Sequence, residues 1–134
     1  MPSSVGEYPL LREAGLLVAH VRVSGPKGHR LVRLAVDTGA TSTMIPPKIA
    51  VAIGVHPARA QTVRETVTVS GKELIPLVVV PRVRVFATTF HRIPVICHTL
   101  PWESPIEGLL GLDLLTRLGA ILDLRKPSIC IRSK

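Results

Sequence analysis

The sequence Leu34-Ala35-Val36-Asp37-Thr38-Gly39-Ala40-Thr41-Ser42 changes abruptly from apolar residues to small and polar ones. The run His29–Val36 predicts a strand, so we expect the carboxylate of Asp37 at the end of a rigid, buried element. Gly39 and Ala40 have almost no side chain, which allows another chain to approach this backbone closely. The tripeptide alone is also compatible with a strand that ends in an Asx-type turn.

A second glycine motif follows later in the chain, Leu109-Leu110-Gly111-Leu112-Asp113-Leu114-Leu115. Its residues Leu112–Gly119 predict a short amphipathic helix with a glycine stop. Between the two motifs, the turn signal Ser70-Gly71 separates a polar, β-branched segment (61–69) from an apolar one (73–80). This pattern predicts a hairpin with an exposed tip.

Twelve prolines and ten glycines divide the chain into short segments, which is typical of a β-rich domain. Pro46-Pro47 predicts the start of a short helix that continues to about Ile53, with Gly54 at its end. The other predicted elements are strands at Leu16–Val23, His29–Val36, Val83–Thr88, Arg92–Cys97, Ala120–Leu124 and Ser128–Arg132. We therefore expect a single domain over residues 1–134.

Composition and charge limit the classes of protein to consider. Only 3% of the residues are aromatic, so we expect an aliphatic core in which Val and Ile favour strands. The formal net charge is +8, but the basic residues are spread along the sequence and few aromatic side chains could stack on bases. A solvated basic face is the favoured interpretation, and we expect no nucleic acid partner.

The two cysteines, Cys97 and Cys130, belong to no C-x-x-C or His/Cys ligand cluster. This argues against a structural zinc site, and we expect no metal and no other cofactor. Residues Met1–Glu7 lack the basic and apolar regions of a signal peptide, and Leu74–Pro81 is too short to span a bilayer. These features predict a cytoplasmic protein with no membrane segment in this chain, and they are compatible with an anchor outside it.

Other catalytic arrangements are less favoured by the sequence. The five histidines share no ligand spacing, and the neighbours Cys97 and His98 would point to opposite faces of a strand. A serine hydrolase of the G-x-S-x-G type is excluded because the motif is absent. Asp113 is expected to hydrogen-bond near a helix start, and Asp123 to lie in a strand or beside a turn.

The two motifs and the hairpin between them resemble, in order and spacing, the retropepsin-like aspartic proteases, which have retroviral and bacterial members. Leu34–Ser42 is similar to the active-site strand and loop of that family, and Leu109–Leu115 to its second signature. The Ser70-Gly71 turn lies where the family carries its flap. The resemblance covers about residues 16–132 and implies a closed acid-protease β-barrel, with one or two short helices and a flap at about 61–80.

This resemblance implies an aspartic endopeptidase that is active as a homodimer. The family uses two aspartates, each in an Asp-Thr-Gly or Asp-Ser-Gly loop, and this chain has one such loop. Asp37 from each of two copies would therefore form the catalytic pair about a two-fold axis. A water activated between the two carboxylates would hydrolyse peptide bonds in extended substrates, without a covalent intermediate or a metal.

The resemblance also implies the residues of the site. Thr38 would hydrogen-bond across the dimer axis, Gly39 would contact the substrate backbone, and the hairpin from about Thr66 to Ile75 would close over the peptide. The implied catalytic residues are Asp37, Thr38 and Gly39. The implied substrate-binding residues are Ala40, Thr68, Val69, Ser70, Gly71, Ile106 and Leu109, with Trp102 as a further wall.

Two positions depart from the viral pattern. Viral members usually carry an acid where this chain has Thr41 and an arginine where it has Leu112, and those two groups pair with each other. Both are replaced here, which leaves the catalytic residues intact but changes the expected dimer contacts. The alternatives are a retropepsin-like domain that binds extended peptides or dimerises without cleavage, and a basic β domain associated with nucleic acid.

Overall fold

A computed structural model of the chain describes residues 5–68, 70–100 and 104–132, with only the backbone described for Val5 and Thr68. Strands dominate the structure, which confirms the mostly β fold class. The strands are β1 (Val5–Pro9), β2 (Leu11–Glu13), β3 (Leu16–Gly25), β4 (Gly28–Val36), β5 (Met44–Ile45), β6 (Thr62–Thr68), β7 (Gly71–Val85), β8 (Thr88–Cys97), β9 (Gly108–Leu110), β10 (Ile121–Asp123) and β11 (Ser128–Arg132). The helices are α1 (Pro47–Ala52) and α2 (Leu112–Leu118), with a 3₁₀ turn at Pro57–Arg59.

Most of the strands belong to one sheet. Its eight strands follow the order β2-β3-β4-β9-β5-β8-β7-β6, and β3 also pairs with β7. Hydrogen bonds therefore run from β3 through β4, β9, β5, β8 and β7 back to β3. A second sheet contains three strands in the order β1-β11-β10. Because β1 is antiparallel to β11, the two ends of the described chain lie side by side.

Side chains alternate between the core and the surface along the long strands. In β3, Val21 and Val23 are buried, whereas His20 and Arg22 are exposed. This period of two follows from the pleat, which points successive side chains to opposite faces. The resulting core consists mainly of Val, Leu and Ile, as the low aromatic content predicts.

Both helices lie where the sequence predicts them. Helix α1 has Pro47 in its first turn, where the missing N–H costs no helical hydrogen bond, and Gly54 follows its end at φ 90°. Helix α2 ends at Gly119 in the left-handed region (φ 60°), and the N–H of Ala120 donates to the carbonyl of Leu115 at 3.1 Å. In the described ranges, no helix has the length and apolar character needed to cross a membrane.

The prediction of a separate strand at Val83–Thr88 is wrong. Strand β7 continues without interruption to Val85, and the chain turns at residues 86–87 before β8. The end of β7 is paired on both sides, with β8 on one side and with β3 on the other. This double pairing extends the strand past Pro81, which has no N–H to donate and takes part in no ladder pair.

Strands β1 and β2 are missing from the sequence prediction. Strand β1 pairs with the far end of the chain, from Val5 opposite Arg132 to Pro9 opposite Ser128. Strand β2 has only three residues, paired with the start of β3. Neither segment carries a clear alternation of apolar and polar residues, so their strand character depends on partners that are distant in sequence or on a short local pairing.

Candidate active site

Asp37 lies directly after β4, at the end of a strand in the middle of the larger sheet. Its N–H donates to the carbonyl of Leu110 at 3.0 Å, and its Oδ1 accepts a hydrogen bond from the N–H of Gly39 at 2.8 Å. The N–H of Ala40 donates to the carbonyl of Asp37 at 3.2 Å. These bonds form a tight loop in which Asp37 is half-buried, while Thr38 and Gly39 are exposed.

The second glycine motif lies beside this loop. Strand β9 is parallel to β4, with Ala35 opposite Leu109 and Val36 opposite Leu110. The N–H of Leu112 then donates to the carbonyl of Ala40 at 2.8 Å. The two motifs identified in the sequence therefore meet, and backbone hydrogen bonds hold one against the other.

Gly111 is required by this close approach. A Cβ atom at this position would lie 2.7 Å from the carbonyl carbon of Ser42 and 2.9 Å from the carbonyl oxygen of Ala40. Real Cβ atoms are essentially never this close to a backbone atom. Only glycine lets the start of α2 pack directly on the loop that carries Asp37.

A buried polar network connects the same two segments. Thr43 is only 1% exposed, and its Oγ1 donates to Oδ1 of Asp113 at 2.8 Å and accepts from the N–H of Gly111 at 3.2 Å. The N–H of Leu114 donates to the same Asp113 oxygen at 2.8 Å. Asp113 thus hydrogen-bonds near the start of a helix, as predicted, but its partner Thr43 was not identified from the sequence.

Asp123 also lies where the sequence predicts it, at the end of β10 and beside a turn. Its Oδ1 accepts from the N–H groups of Arg125 and Lys126, each at 3.0 Å. Through these hydrogen bonds the carboxylate of Asp123 stabilises the turn between β10 and β11. Asp123 is therefore a turn residue and provides no second acid for the Asp37 loop.

A cavity of about 370 Å³ opens beside the Asp37 loop, between this loop and the β6–β7 hairpin. The loop contributes Gly39, Ala40, Thr41 and Ser42, strand β6 contributes Arg64, Glu65, Thr66 and Val67, and the remaining lining residues are Met44, Ile75, Ile96, His98 and Leu109. The walls are mainly apolar, and the polar side chains lie on the loop, on β6 and at His98, which follows β8. Such a cleft suits an extended chain that offers apolar side chains and backbone hydrogen bonds.

The structure places the predicted substrate-binding residues in three groups. Ala40 and Leu109 line the cavity, together with Gly39. Ser70 and Gly71 are exposed at the hairpin tip and do not line it, and Thr68, of which only the backbone is described, pairs with Gly71. Ile106 is 7% exposed and packs in a small cluster with Val18 and Ala35. The predictions for Val69 and Trp102 lie outside the described residues.

Arg64 is a cavity residue that was not predicted from the sequence. Its guanidinium Nη1 hydrogen-bonds to Oγ of Ser42, so it bridges β6 and the Asp37 loop. Arg64 alternates with exposed neighbours along β6 and lies directly opposite the buried Ile75 of β7. The alternation in a predicted strand could have placed Arg64 on the inner face, but the contact with Ser42 depends on the tertiary structure.

Thr38 lines a second hollow, of about 320 Å³. Helix α2 supplies Leu112, Leu115 and Thr116, and the following residues Gly119, Ala120 and Leu122 complete the lining. Leu112 is 40% exposed, and Ile121, between two lining residues, is 51% exposed. The Asp37 loop thus borders an apolar surface that is partly exposed to solvent in the described part of the chain.

Basic residues that are spread in the sequence gather on the outer face of the sheet. Arg22 of β3 lies directly opposite Arg84 of β7, and Ser24 lies opposite Arg82. Among the described residues, no carboxylate forms an ion pair with any of these three arginines. The net charge of +8 is therefore partly concentrated on one face, away from the residues that line the Asp37 cavity.

Candidate metal ligands are dispersed in the described part of the chain. No group of three or more His, Cys, Asp or Glu side chains is close enough there to hold a metal ion. Cys97 is buried in the core and Cys130 is half-buried in β11, and both thiols are free. The polar side chains that line the cavity beside the Asp37 loop are those of Thr41, Ser42, Arg64, Glu65, Thr66 and His98.

Comparisons with known proteins agree with this geometry. A family model described as "Aspartyl protease" matches residues 19–114, which include the first glycine motif, the hairpin and the second motif up to Leu114. A search of curated proteins found no match. The crystal structure of a retropepsin-like aspartic protease from Rickettsia conorii is similar in fold, with a TM-score of 0.73 and 22% sequence identity over 98% of this chain and 94% of that chain. The chain therefore belongs to the aspartyl protease family and has a retropepsin-like fold.

Proposed function

We propose that this chain is an aspartic endopeptidase that acts as a homodimer on extended peptides. The observation that carries the proposal is the position of Asp37, which hydrogen bonds to the backbone fix in a loop whose residues 39–42 line the cavity. One carboxylate oxygen accepts the N–H of Gly39, and no described residue donates to the other, Oδ2. The second oxygen is therefore free to bind a water or a substrate group.

When a pair of carboxylates hydrolyses a peptide bond, its two members must be in different protonation states. Two carboxylates a few Å apart share a proton, because both cannot be ionised without strong repulsion. The ionised one takes a proton from the attacking water, and the protonated one donates to the carbonyl oxygen of the substrate. This chain contains one Asp-Thr-Gly loop, so the second carboxylate comes from another copy.

The surface beside Thr38 supports this assembly. The hollow there is lined mainly by apolar side chains, among them the partly exposed Leu112. Exposed apolar area next to a polar site is typical of an interface between protein chains. A two-fold axis near Thr38 would cover this area in both copies and bring the two Asp37 loops together.

The remaining residues of the loop have roles that fit their positions. Thr38 is exposed beside the proposed axis, where its hydroxyl can hydrogen-bond to the partner copy. Gly39 and Ala40 line the cavity with little side-chain bulk, so that a peptide backbone can lie against them. The β6–β7 hairpin, which we call the flap, would close over the peptide and exclude water from it.

Peptide cleavage by the wild type and by Asp37→Asn tests the proposal. The substitution keeps the shape of the side chain and removes its ionisation, so we expect cleavage by the wild type and at least a hundredfold loss in the variant. Both proteins should be assayed from acid to neutral pH and over a series of concentrations, because a weak dimer dissociates on dilution. Equal cleavage by both proteins would assign the activity to another site. Binding without cleavage at every concentration would favour a peptide-binding domain.

The dimer has a separate test. Leu112→Glu places a charge on the proposed interface, while an acid in the first turn of α2 is favourable for that helix. We expect a lower sedimentation coefficient at a given concentration and a loss of activity that parallels the loss of dimer. The matched control is Leu31→Glu, an exposed leucine on the outer sheet face, which should leave association unchanged. A monomeric wild type that remains active would refute the homodimer.

A further inference from the structure

The cavity beside Asp37 contains an arginine whose charge is not balanced. Arg64 lies on the flap strand β6, is half-buried, and contacts the hydroxyl of Ser42 through its guanidinium. Glu65 lines the same cavity, but its carboxylate pairs with Lys72, with 3.7 Å between Oε1 and Nζ. No carboxylate among the described residues lies within ion-pair distance of Arg64.

The surroundings of Arg64 strengthen its attraction for an anion. It lies directly opposite Ile75 on the neighbouring strand, and the walls of the same cavity include Met44, Ile96 and Leu109. Apolar walls reduce the screening of charge by water, so an ion pair formed in the cleft is stronger than one on the open surface. A peptide lying in the cleft would reduce the screening further.

The guanidinium also has the donors that a carboxylate requires. It carries five N–H donors in a planar fork, and the Ser42 hydroxyl accepts from only one of its nitrogens. A carboxylate can take two parallel hydrogen bonds from such a fork, which adds geometric selection to the charge. A neutral amide of the same shape cannot replace this interaction, because it lacks the charge and one acceptor oxygen.

We infer that Arg64 forms a carboxylate-binding subsite, and that the enzyme prefers peptides with a Glu or Asp side chain at one position near the cleaved bond. This inference rests on the proposed function and specifies its substrate class. Residues two apart in an extended peptide point to the same side, so a large aliphatic side chain next to the acid on that side would pack on Ile75, Ile96 and Leu109.

A set of peptides that differ only in one Glu or Gln provides the first test. The set keeps the same aliphatic residues at the cleavage site and moves the Glu or Gln through the flanking positions. We expect kcat/KM for the Glu peptide to exceed that for the Gln peptide by about tenfold or more at one position, from the strength of a charge-assisted hydrogen bond. A ratio near one at every position would refute the subsite.

Three variants separate the charge of Arg64 from its contact with the loop. Arg64→Gln should bring the ratio of kcat/KM for the Glu peptide to that for the Gln peptide to about one. Arg64→Glu should invert this ratio and favour a peptide with Lys at the same position. Ser42→Ala removes the hydroxyl and keeps the cation, so the ratio should persist. The control Arg59→Gln makes the same change in net charge on an exposed residue outside this cavity and should also keep the ratio. Loss of the ratio in Arg59→Gln would point to general electrostatic attraction and overturn the subsite.

Binding to Asp37→Asn distinguishes failure of the subsite from failure of the proposed function. Fluorescence anisotropy of labelled Glu and Gln peptides gives their Kd values without cleavage. A Glu preference that Arg64→Gln removes in this background supports the subsite, even if the wild type cleaves nothing. Cleavage by the wild type without a Glu preference in either assay refutes the subsite and keeps the protease. No binding and no cleavage of any peptide would refute both.

Discussion

The carboxylate of Asp113 accepts two hydrogen bonds from Thr43. The hydroxyl of Thr43 donates to Oδ1 at 2.8 Å, and its backbone N–H donates to Oδ2 at 3.0 Å. Thr43 closes the loop that begins at Asp37, and Asp113 lies in the first turn of α2. Because Thr43 is buried, these bonds are weakly screened by water. The position of the proposed catalytic loop therefore depends on a polar pair whose members are far apart in the sequence.

Thr43→Val should destabilise the protein. Valine has the shape of threonine without the hydroxyl, so Gly111 loses its acceptor and Asp113 loses a donor in a buried place. We expect the free energy of unfolding in urea to fall by about 1–3 kcal/mol. The matched control is Thr41→Val in the same loop, which is exposed and should change stability by about 0.5 kcal/mol or less. Equal effects of the two substitutions would contradict a structural role of the pair.

Gly111→Ala should destabilise the junction between the two motifs. The added Cβ would overlap the backbone of Ser42 and Ala40, which cannot move without displacing the Asp37 loop. We expect a loss of about 1–3 kcal/mol in thermal or urea unfolding. Gly39→Ala is the comparison, because its Cβ would meet only Oδ1 of Asp37, at 3.2 Å. A smaller loss of stability in Gly39→Ala is expected, and the reverse order would refute the packing argument.

Arg22→Gln should stabilise the protein at low ionic strength. Arg22 faces Arg84 across two paired strands, and like charges in this position repel. We expect a gain of about 0.2–1 kcal/mol in the free energy of unfolding, which becomes smaller in high salt because the charges are screened. Arg33→Gln is the control of opposite sign, since Arg33 pairs with Glu13 and its removal should cost up to about 1 kcal/mol. The same sign for both variants would contradict the assignment.

Cys97 should be unreactive in the folded protein. Desolvation by burial raises the pKa of the Cys97 thiol from 9.0 to about 11, so at pH 8 it carries almost no reactive thiolate. We expect a thiol reagent to modify the half-buried Cys130 first and to reach Cys97 only in urea, as mass spectrometry would show. Rapid labelling of Cys97 in the native protein would contradict its burial in the core.

The raised pKa of Cys97 also predicts how the stability of the protein changes at alkaline pH. Above pH 9 the unfolded chain releases the Cys97 proton, whereas the folded chain keeps it up to about pH 11. The folded state then binds more protons, so the free energy of unfolding falls as the pH rises through this window. Urea unfolding between pH 8 and pH 10.5 should show this fall in the wild type and a smaller one in Cys97→Ala. Equal slopes would show that other groups cause the dependence.

Much of the candidate site could be predicted because its signals are local. The apolar strand before Asp37, the small residues after it and the glycine stop of α2 at Gly119 are each visible in a few consecutive residues. Ala40 and Leu109 belong to these same motifs, and the structure places both on the cavity. The hairpin tip at Ser70-Gly71 is also a local turn signal, whereas its closure over a substrate is part of the proposed function.

The sequence by itself determined the strand-forming core, the hairpin turn at Ser70-Gly71, both helices and the two glycine motifs, because backbone preference and the spacing of apolar residues act over short distances. Only the tertiary structure decided that Thr43 binds Asp113, that Arg64 reaches Ser42, and that Arg22 faces Arg84. It also decided that β7 continues to Val85. Each of these depends on which strands become neighbours, and strand pairing is a property of the whole sheet that no single segment encodes.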